Sequence, residues 1–543
     1  MTPGRRPLLL LLNGDIHTMD PDHPRASALA VDRGSGRILA VGDDADIRAL
    51  AGPLSDTLDL GGRTALPGFI DAHTHLMMYA EARMQVDLRH IGSEDAAVER
   101  VKARVERTPE GAWVQGQSWD KNEWPGERFP TRRSLDAVAP RHPVALWDHS
   151  YHAVWVNSEA LRHAGITAET PDPPGGRIGR DADGEPDGML YEDATLIVDA
   201  AIAPPDEDAL AAELGRVLAD LRARGVTGVH NIENDRALRL FQRLHGEGAL
   251  GMRVLLYIPR PALPHAIKLG LEAGFGDDYL RFAGVKLFMD GALGPQTAAM
   301  LDPYEGRPDY RGLLIMTEPE VLETVSEAAD GGIGVAIHAI GDRAVHTALD
   351  GIEAALRKHA NVAPGTPPPA RRFRLEHVQL AAQADIERMA RLGVIASVQP
   401  FHAVVDRDTA ERHWGARHKR AYAYQAMRTA GVRLALGSDV PVDTADPLRI
   451  LHAAIARTDD RTPDRPAWLP DQALSLAQAL WAYTTGAAYA GGQETRQGSL
   501  APGKLADLVV LAEDPFTVPA ARLAGAEVAA TLVGGELVHG ALE

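Results

Sequence analysis

The sequence predicts an α/β fold: a (β/α)8 TIM barrel with a small β-sandwich formed by both chain ends and an inserted subdomain after the first barrel strand. Three observations carry this. Eight short apolar runs fit fully buried strands, helical patterns follow most of them, and turn-rich β segments occupy both ends of the chain.

In chain order, residues 1–65 read as the N-terminal part of the sandwich. Strands are expected at Leu8–Leu12, Ala28–Val31, Ile38–Val41 and Thr57–Leu60, separated by Asn-Gly, Gly-Ser-Gly and Gly-Gly turns, with one short helical stretch near Asp43–Ala51. Two arginines and five leucines near the start could suggest a secretory signal. The run is short and meets Asn13-Gly14-Asp15 directly, so it reads as a strand ending in a turn. Residues 66–490 read as the barrel. Its strands are expected at Leu66–His73, Val226–Asn231, Arg253–Tyr257, Ala283–Met289, Gly334–His338, Phe373–Val378, Val394–Gln399 and Arg433–Ser438, with helices such as Glu318–Gly331 and Asp385–Leu392 between them. About 150 residues separate the first strand from the second, far more than a βα loop needs. Residues 80–215 are therefore read as an inserted cap subdomain over the barrel mouth. It has strand-like pieces of its own (Ala112–Gln117, Val144–Asp148, Ala153–Val156), a Gly/Pro/Asp-rich segment from Pro171 to Gly188, and five tryptophans at 113, 119, 124, 147 and 155 that suit a small core. Pro364–Pro369 reads as a surface loop. Residues 491–543 complete the sandwich with Leu508–Leu511, Ala529–Val533 and Glu536–Val538, the last two joined by a Gly534-Gly535 hairpin turn.

Composition narrows the chemistry. The 543 residues are 45% hydrophobic and 24% charged, as in ordinary globular enzymes, and the net charge of −19 lacks the basic footprint of a nucleic-acid binder. No apolar stretch approaches a membrane span, so a cytoplasmic protein is expected. With no cysteine, thiolate sites, cysteine nucleophiles and disulfides are excluded, and any transition metal must use imidazole, carboxylate or a modified lysine.

The strongest local signal is Pro67-Gly68-Phe69-Ile70-Asp71-Ala72-His73-Thr74-His75. Residues i and i+2 of a strand share a side, so His73 and His75 can both face the barrel axis, half of a metal site. Such a pair alone also occurs on surfaces. The weight comes from the other strands. Lys286 lies inside the apolar run Gly284–Met289, His338 ends the fifth strand, His377 the sixth and Asp439 the eighth. Catalytic residues of this fold collect at those strand ends. A buried lysine loses its proton more readily, and its neutral amine can add carbon dioxide to give an anionic carbamate able to bridge two cations. Zinc in such a site would generate hydroxide near neutral pH, with Asp439 orienting the water and carrying its proton to the leaving nitrogen.

These segments resemble the amidohydrolase superfamily over nearly the whole chain. Leu66–His75 matches its opening motif, Gly437-Ser438-Asp439 its closing aspartate, and Gly498–Leu511 the return into the sandwich. Within it, Ser118-Trp119-Asp120, His152–Leu161, Val285–Gly291 and Ile337–Asp342 are similar to the branch containing N-substituted formamide deformylase. The resemblance implies a divalent metal, usually zinc, one ion or two, bound by His73, His75, N6-carboxylated Lys286, His338 and His377, with Asp439 as base and ligand. Where relatives often have Asp-Gly-His, this chain has Ser150-Tyr151-His152, so the pocket wall around His152 departs from theirs.

His152, Gln399 and His402 are candidate substrate contacts, each with a structural alternative. Asp342 reads as a helix N-cap. A further metal site from His402, His413 and His418 is conceivable but irregularly spaced. The expected function is hydrolysis of a non-peptide C–N bond in a small molecule such as an amide, N-substituted formamide or N-acyl amine. An esterase, carbamate hydrolase or phosphoesterase is the alternative, and a silent scaffold a more remote one. A homodimer is the base-rate expectation.

Overall fold

The computed structural model describes residues 7–121, 124–126, 128–148, 153–173, 176–203, 205–294, 296–360 and 372–542. His152 and Pro364–Pro369 lie outside them. Among the described residues no helix is long and apolar enough to cross a membrane.

Eight parallel strands form one sheet in chain order: β1 (Phe69–Thr74), β2 (Val226–Ile232), β3 (Arg253–Pro259), β4 (Leu280–Phe288), β5 (Gly334–Ala339), β6 (Phe373–His377), β7 (Ile395–Val398) and β8 (Leu434–Leu436). The sheet closes just past β8. There Asp439 N donates to His73 O at 2.8 Å, and His75 N donates to Val440 O at 2.9 Å. Closure thus places Asp439 directly against the His73–His75 pair.

The apolar run at Leu66–His73 is divided rather than continuous. Thr64–Pro67 pairs antiparallel with Leu508–Leu511, and β1 begins only at Phe69. Gly68 sits at the division, where an added Cβ would come within 2.2 Å of the Thr227 side chain. Pro67, lacking an N–H, suits the end of a ladder.

Both chain ends build two sheets. One orders Arg37–Gly42, Ala28–Asp32, Leu8–Leu12 and Asp56–Asp59. The other orders Glu536–Gly540, Val528–Val533, Leu508–Leu511, Thr64–Pro67, Asp15–His17 and Arg25–Ala26. The five-leucine strand is buried on both faces. Leu9 and Leu11 pack with Leu508, Val510 and Leu532, whereas Leu8, Leu10 and Leu12 pack with Ile47 of the helix Asp44–Arg48. This explains a run without polar alternation. Arg253 of β3 fixes the sandwich to the barrel through two buried bonds to Asp507, at 2.6 and 2.7 Å.

Met77–Leu214 forms a compact unit of its own. Its six-stranded sheet orders Gly176–Arg180, Pro186–Glu192, Ala153–Val156, Val144–Asp148, Val114–Trp119 and Val86–Asp87. Part of the Gly/Pro/Asp-rich segment is thus an antiparallel hairpin. Trp119, Trp124 and Trp155 pack ring on ring at 5.5–6.2 Å, while Trp147 packs in a separate cluster with Val154 and Leu161.

Candidate active site

His73, His75, Lys286, His338, His377 and Asp439 come together at the carboxyl ends of β1, β4, β5, β6 and β8. Ligand atoms of His73, His75 and Asp439 lie within 4.8 Å of one another, as do those of His377, His402 and Asp439. His75 Nε2 is 3.0 Å from Asp439 Oδ1, and His73 Nε2 is 3.5 Å from the same oxygen. Lys286 Nζ lies 3.4 Å from His73 Nε2. The His377 ring centroid is 4.9 Å from that of His73 and 4.6 Å from that of His338.

Each of the four imidazoles has one ring nitrogen engaged by an acceptor. His73 Nδ1 donates to Glu376 Oε2 at 2.6 Å, and His75 Nδ1 to Ile232 O at 2.5 Å. His338 Nε2 donates to Gly291 O at 3.0 Å, and His377 Nδ1 to Gln399 Oε1 at 2.8 Å. These bonds fix the ring orientation, the arrangement that supports metal-ligating histidines; in His75 the second nitrogen meets Asp439 Oδ1 at 3.0 Å, where a metal would take its lone pair instead. A donor set of imidazole nitrogens and carboxylate oxygen suits a borderline dication such as zinc. The residues present therefore fit a metal.

The electrostatics agree with that fit. Burial, then the Lys286 charge, lowers the His73 pKa to about 4. Burial and the same lysine lower His338 to about 3. His377 is held well below its ordinary value, by burial first and then by His338. His75 differs: burial opposes its charge, but the hydrogen bond and charge of Asp439 outweigh burial and raise it. Burial opposes the Asp439 carboxylate too, yet His73, His75 and His377 together hold it well below the usual range, so it is ionised. Lys286 is brought down to about 8, chiefly by burial, with Glu376 and Asp439 pulling the other way.

Three residues here have a strained backbone. His377 has φ 74°, Val378 φ 43° and Asp439 φ 61°, all in the left-handed region that a β-branched residue such as Val378 avoids. Close packing holds the turn after β8: a Cβ on Gly437 would stand 2.6 Å from His73 N.

The other candidates fall differently. His402 Nε2 is buried, makes no hydrogen bond among the described residues, and lies 3.6 Å from Asp439 Oδ2 and 3.5 Å from Asp443 Oδ2. Gln399 is buried against His377. His413 pairs with Gln296, and His418 donates to Gly415 O, so the structure does not gather His402, His413 and His418. Asp342 begins a helix, and its carboxylate accepts from Leu301 N and Arg420 Nη2.

Sequence reasoning missed the layer behind the ligands. Arg374 and Glu376 are fully buried, bonded to each other through Nε and Nη2, and Glu376 holds His73. Arg374 also reaches Ala72 O, Ser397 Oγ and His230 Nδ1. Asp71 accepts from His73 N and Ser438 N, joining β1 to the turn after β8. Asp290 accepts from Ala299, Ile340 and Gly341 N–H groups, joining the segments after β4 and β5. The available signal was a charged residue inside an apolar strand, the one that singled out Lys286. It applies equally to Arg374 and Glu376.

The sequence profile of the Amidohydrolase family matches residues 56–539. Protein LONG AFTER FAR-RED 3 of Arabidopsis thaliana is 34% identical, over 98% of this chain and 91% of its own length. N-substituted formamide deformylase of Arthrobacter pascens is 32% identical, over 97% of this chain and 98% of its own. A crystal structure of an uncharacterized metal-dependent hydrolase from Pyrococcus furiosus superposes with a TM-score of 0.77 at 29% identity, covering 94% of this chain and 100% of that one.

Proposed function

The chain belongs to the amidohydrolase family, and from that premise we propose that it cleaves a small N-substituted formamide or N-acyl amine with zinc held by His73, His75, His338, His377, Asp439 and a carboxylated Lys286. It is a hydrolase of non-peptide carbon–nitrogen bonds. What supports the metal reading is the set of four imidazoles, each with one nitrogen held by an acceptor, with the Nε2 atoms of His73 and His75 both within 3.5 Å of Asp439 Oδ1.

A bound dication would supply Lewis acidity, activating water and polarising the scissile carbonyl. The chain's own residues do the rest. Asp439, ionised and 3.0 Å from His75, accepts the proton of the attacking water and returns it to the leaving nitrogen. Lys286, with a pKa near 8, keeps an accessible neutral amine at neutral pH. That amine adds carbon dioxide and releases a proton, so a cation that would repel the metal becomes an anionic ligand. Glu376 and Gln399 hold His73 and His377 in the required orientation. His402, whose Nε2 makes no hydrogen bond among the described residues, offers a contact to the substrate oxygen.

The test pairs elemental analysis with turnover. About two zinc ions per chain are expected for the lysine-bridged site, together with hydrolysis of N-substituted formamides that is lost on chelation and restored by zinc. Absence of bound metal, with no formamide or amide cleaved after metal is added, would overturn the reading. One ion per chain would remove the bridging role of Lys286 while keeping the hydrolase.

A further inference from the structure

A second cluster lies in the sandwich, on residues the proposed reaction does not use. The strand Asp15–His17 places Asp15 and His17 on one side, as i and i+2 must be. The segment after the strand Leu508–Leu511 brings Asp514 to them, although Asp514 is 497 positions from His17 along the chain. One ligand atom from each of Asp15, His17 and Asp514 falls within 4.8 Å of the others. A second observation points to a ligand. His17 is only 5% exposed, and its buried Nε2 makes no well-formed hydrogen bond among the described residues; its nearest carboxylate oxygen, Asp15 Oδ2, stands at a long 3.4 Å. Such a nitrogen recovers only part of its desolvation cost.

We propose that Asp15, His17 and Asp514 form a divalent-metal site, of the zinc type, that pins the N-terminal part of the sandwich to the C-terminal part. One imidazole nitrogen and two carboxylate oxygens are acceptable zinc donors, and the half-exposed aspartates leave a fourth position to water. The imidazole is already oriented, stacked face to face on Phe516 at 4.4 Å and 4°. Arg25 bonds to Asp15 Oδ1, which leaves Oδ2 as the oxygen directed at His17. The local charges are two carboxylates against one guanidinium, net negative and receptive to a cation. Because the metal would bridge residues almost 500 positions apart, it would close a very long loop in the folded state alone and stabilise the sandwich.

The test must separate this site from the barrel centre. In a His73→Asn/His75→Asn chain, calorimetric titration with zinc chloride is expected to retain one binding event per chain, removed by adding His17→Asn or, more conservatively, Asp514→Asn. Hydrogen exchange of residues 15–17 and 508–517 is expected to slow at least several-fold on adding zinc, and not to slow in the Asp514→Asn chain. Zinc titrations identical with and without Asp514→Asn, or no change in exchange at these segments, would overturn the proposal. Failure of the barrel reading is read separately, as unchanged zinc stoichiometry between the parent chain and the His73→Asn/His75→Asn chain.

Discussion

Replacing Glu376 by Gln tests whether the layer behind the ligands governs the centre. The carboxylate is fully buried, bonded by Arg374 through two nitrogens and by His73 Nδ1 at 2.6 Å. Its pKa is held well below the carboxylate range: burial opposes the charge, but Arg374 and His73 more than offset it. Gln keeps the shape and removes the charge, leaving the guanidinium of Arg374 buried without its partner. Breaking a buried pair this way costs about 3–5 kcal/mol. The amide can also turn its NH2 toward His73 Nδ1, which would reverse the tautomer and point the wrong nitrogen state at the cluster. Loss of such a supporting group typically lowers metal affinity about 10–100-fold. Urea unfolding of the metal-free protein reads the first effect, and competition with a chelator the second. The double variant Arg374→Met/Glu376→Gln should recover part of the stability, because no unpaired charge remains. A Glu376→Gln chain within about 1 kcal/mol of the parent, with unchanged zinc affinity, would refute the argument.

Asp71→Asn is expected to leave the local geometry intact, since an amide oxygen can still accept from His73 N and Ser438 N. Burial raises the Asp71 pKa to about 6, so between the unfolded value near 3.8 and 6 the folded state holds a proton that the unfolded state has released. This group's contribution therefore falls as pH rises through that window. The variant should gain on the parent by up to about 3 kcal/mol between pH 4 and 6, measured by urea unfolding at a series of pH values; a constant difference across that range would contradict the sign. Asp439→Asn should retain the fold and lower kcat by at least about 100-fold, and near-normal turnover would remove its role as proton carrier. Lys286→Ala should reduce bound metal, with partial rescue by a short carboxylic acid in place of the carbamate; unchanged metal content would exclude the bridge. Gly437→Ala, whose Cβ would meet His73 N at 2.6 Å, should destabilise the chain by about 1–3 kcal/mol, read as a lowered urea midpoint.

The sequence by itself determined the barrel and most of its candidate centre, because both rest on local patterns. A fully buried parallel strand must be apolar along its length, so a charged or imidazole side chain within or at the end of such a run stands out. That is how Lys286, His338, His377 and Asp439 were legible one strand at a time, and why His73 and His75 could be placed on one side by spacing alone. Arg374 and Glu376 carried the same signal. Their meaning depends on neighbours from β1, β2 and β7, which local pattern does not supply. Only tertiary structure decided what requires ring closure or pairing across the chain. The contact of Asp439 with His75 exists because the segment after β8 bonds to the end of β1. Gln399 is assigned to His377 because β6 and β7 are adjacent. The division of the first apolar run at Gly68 follows from the pairing of Thr64–Pro67 with Leu508–Leu511, more than 400 residues later. The meeting of His17 with Asp514 has the same origin. Spacing along a chain fixes which face a side chain takes; which distant side chain meets it is fixed by the closure and stacking of sheets.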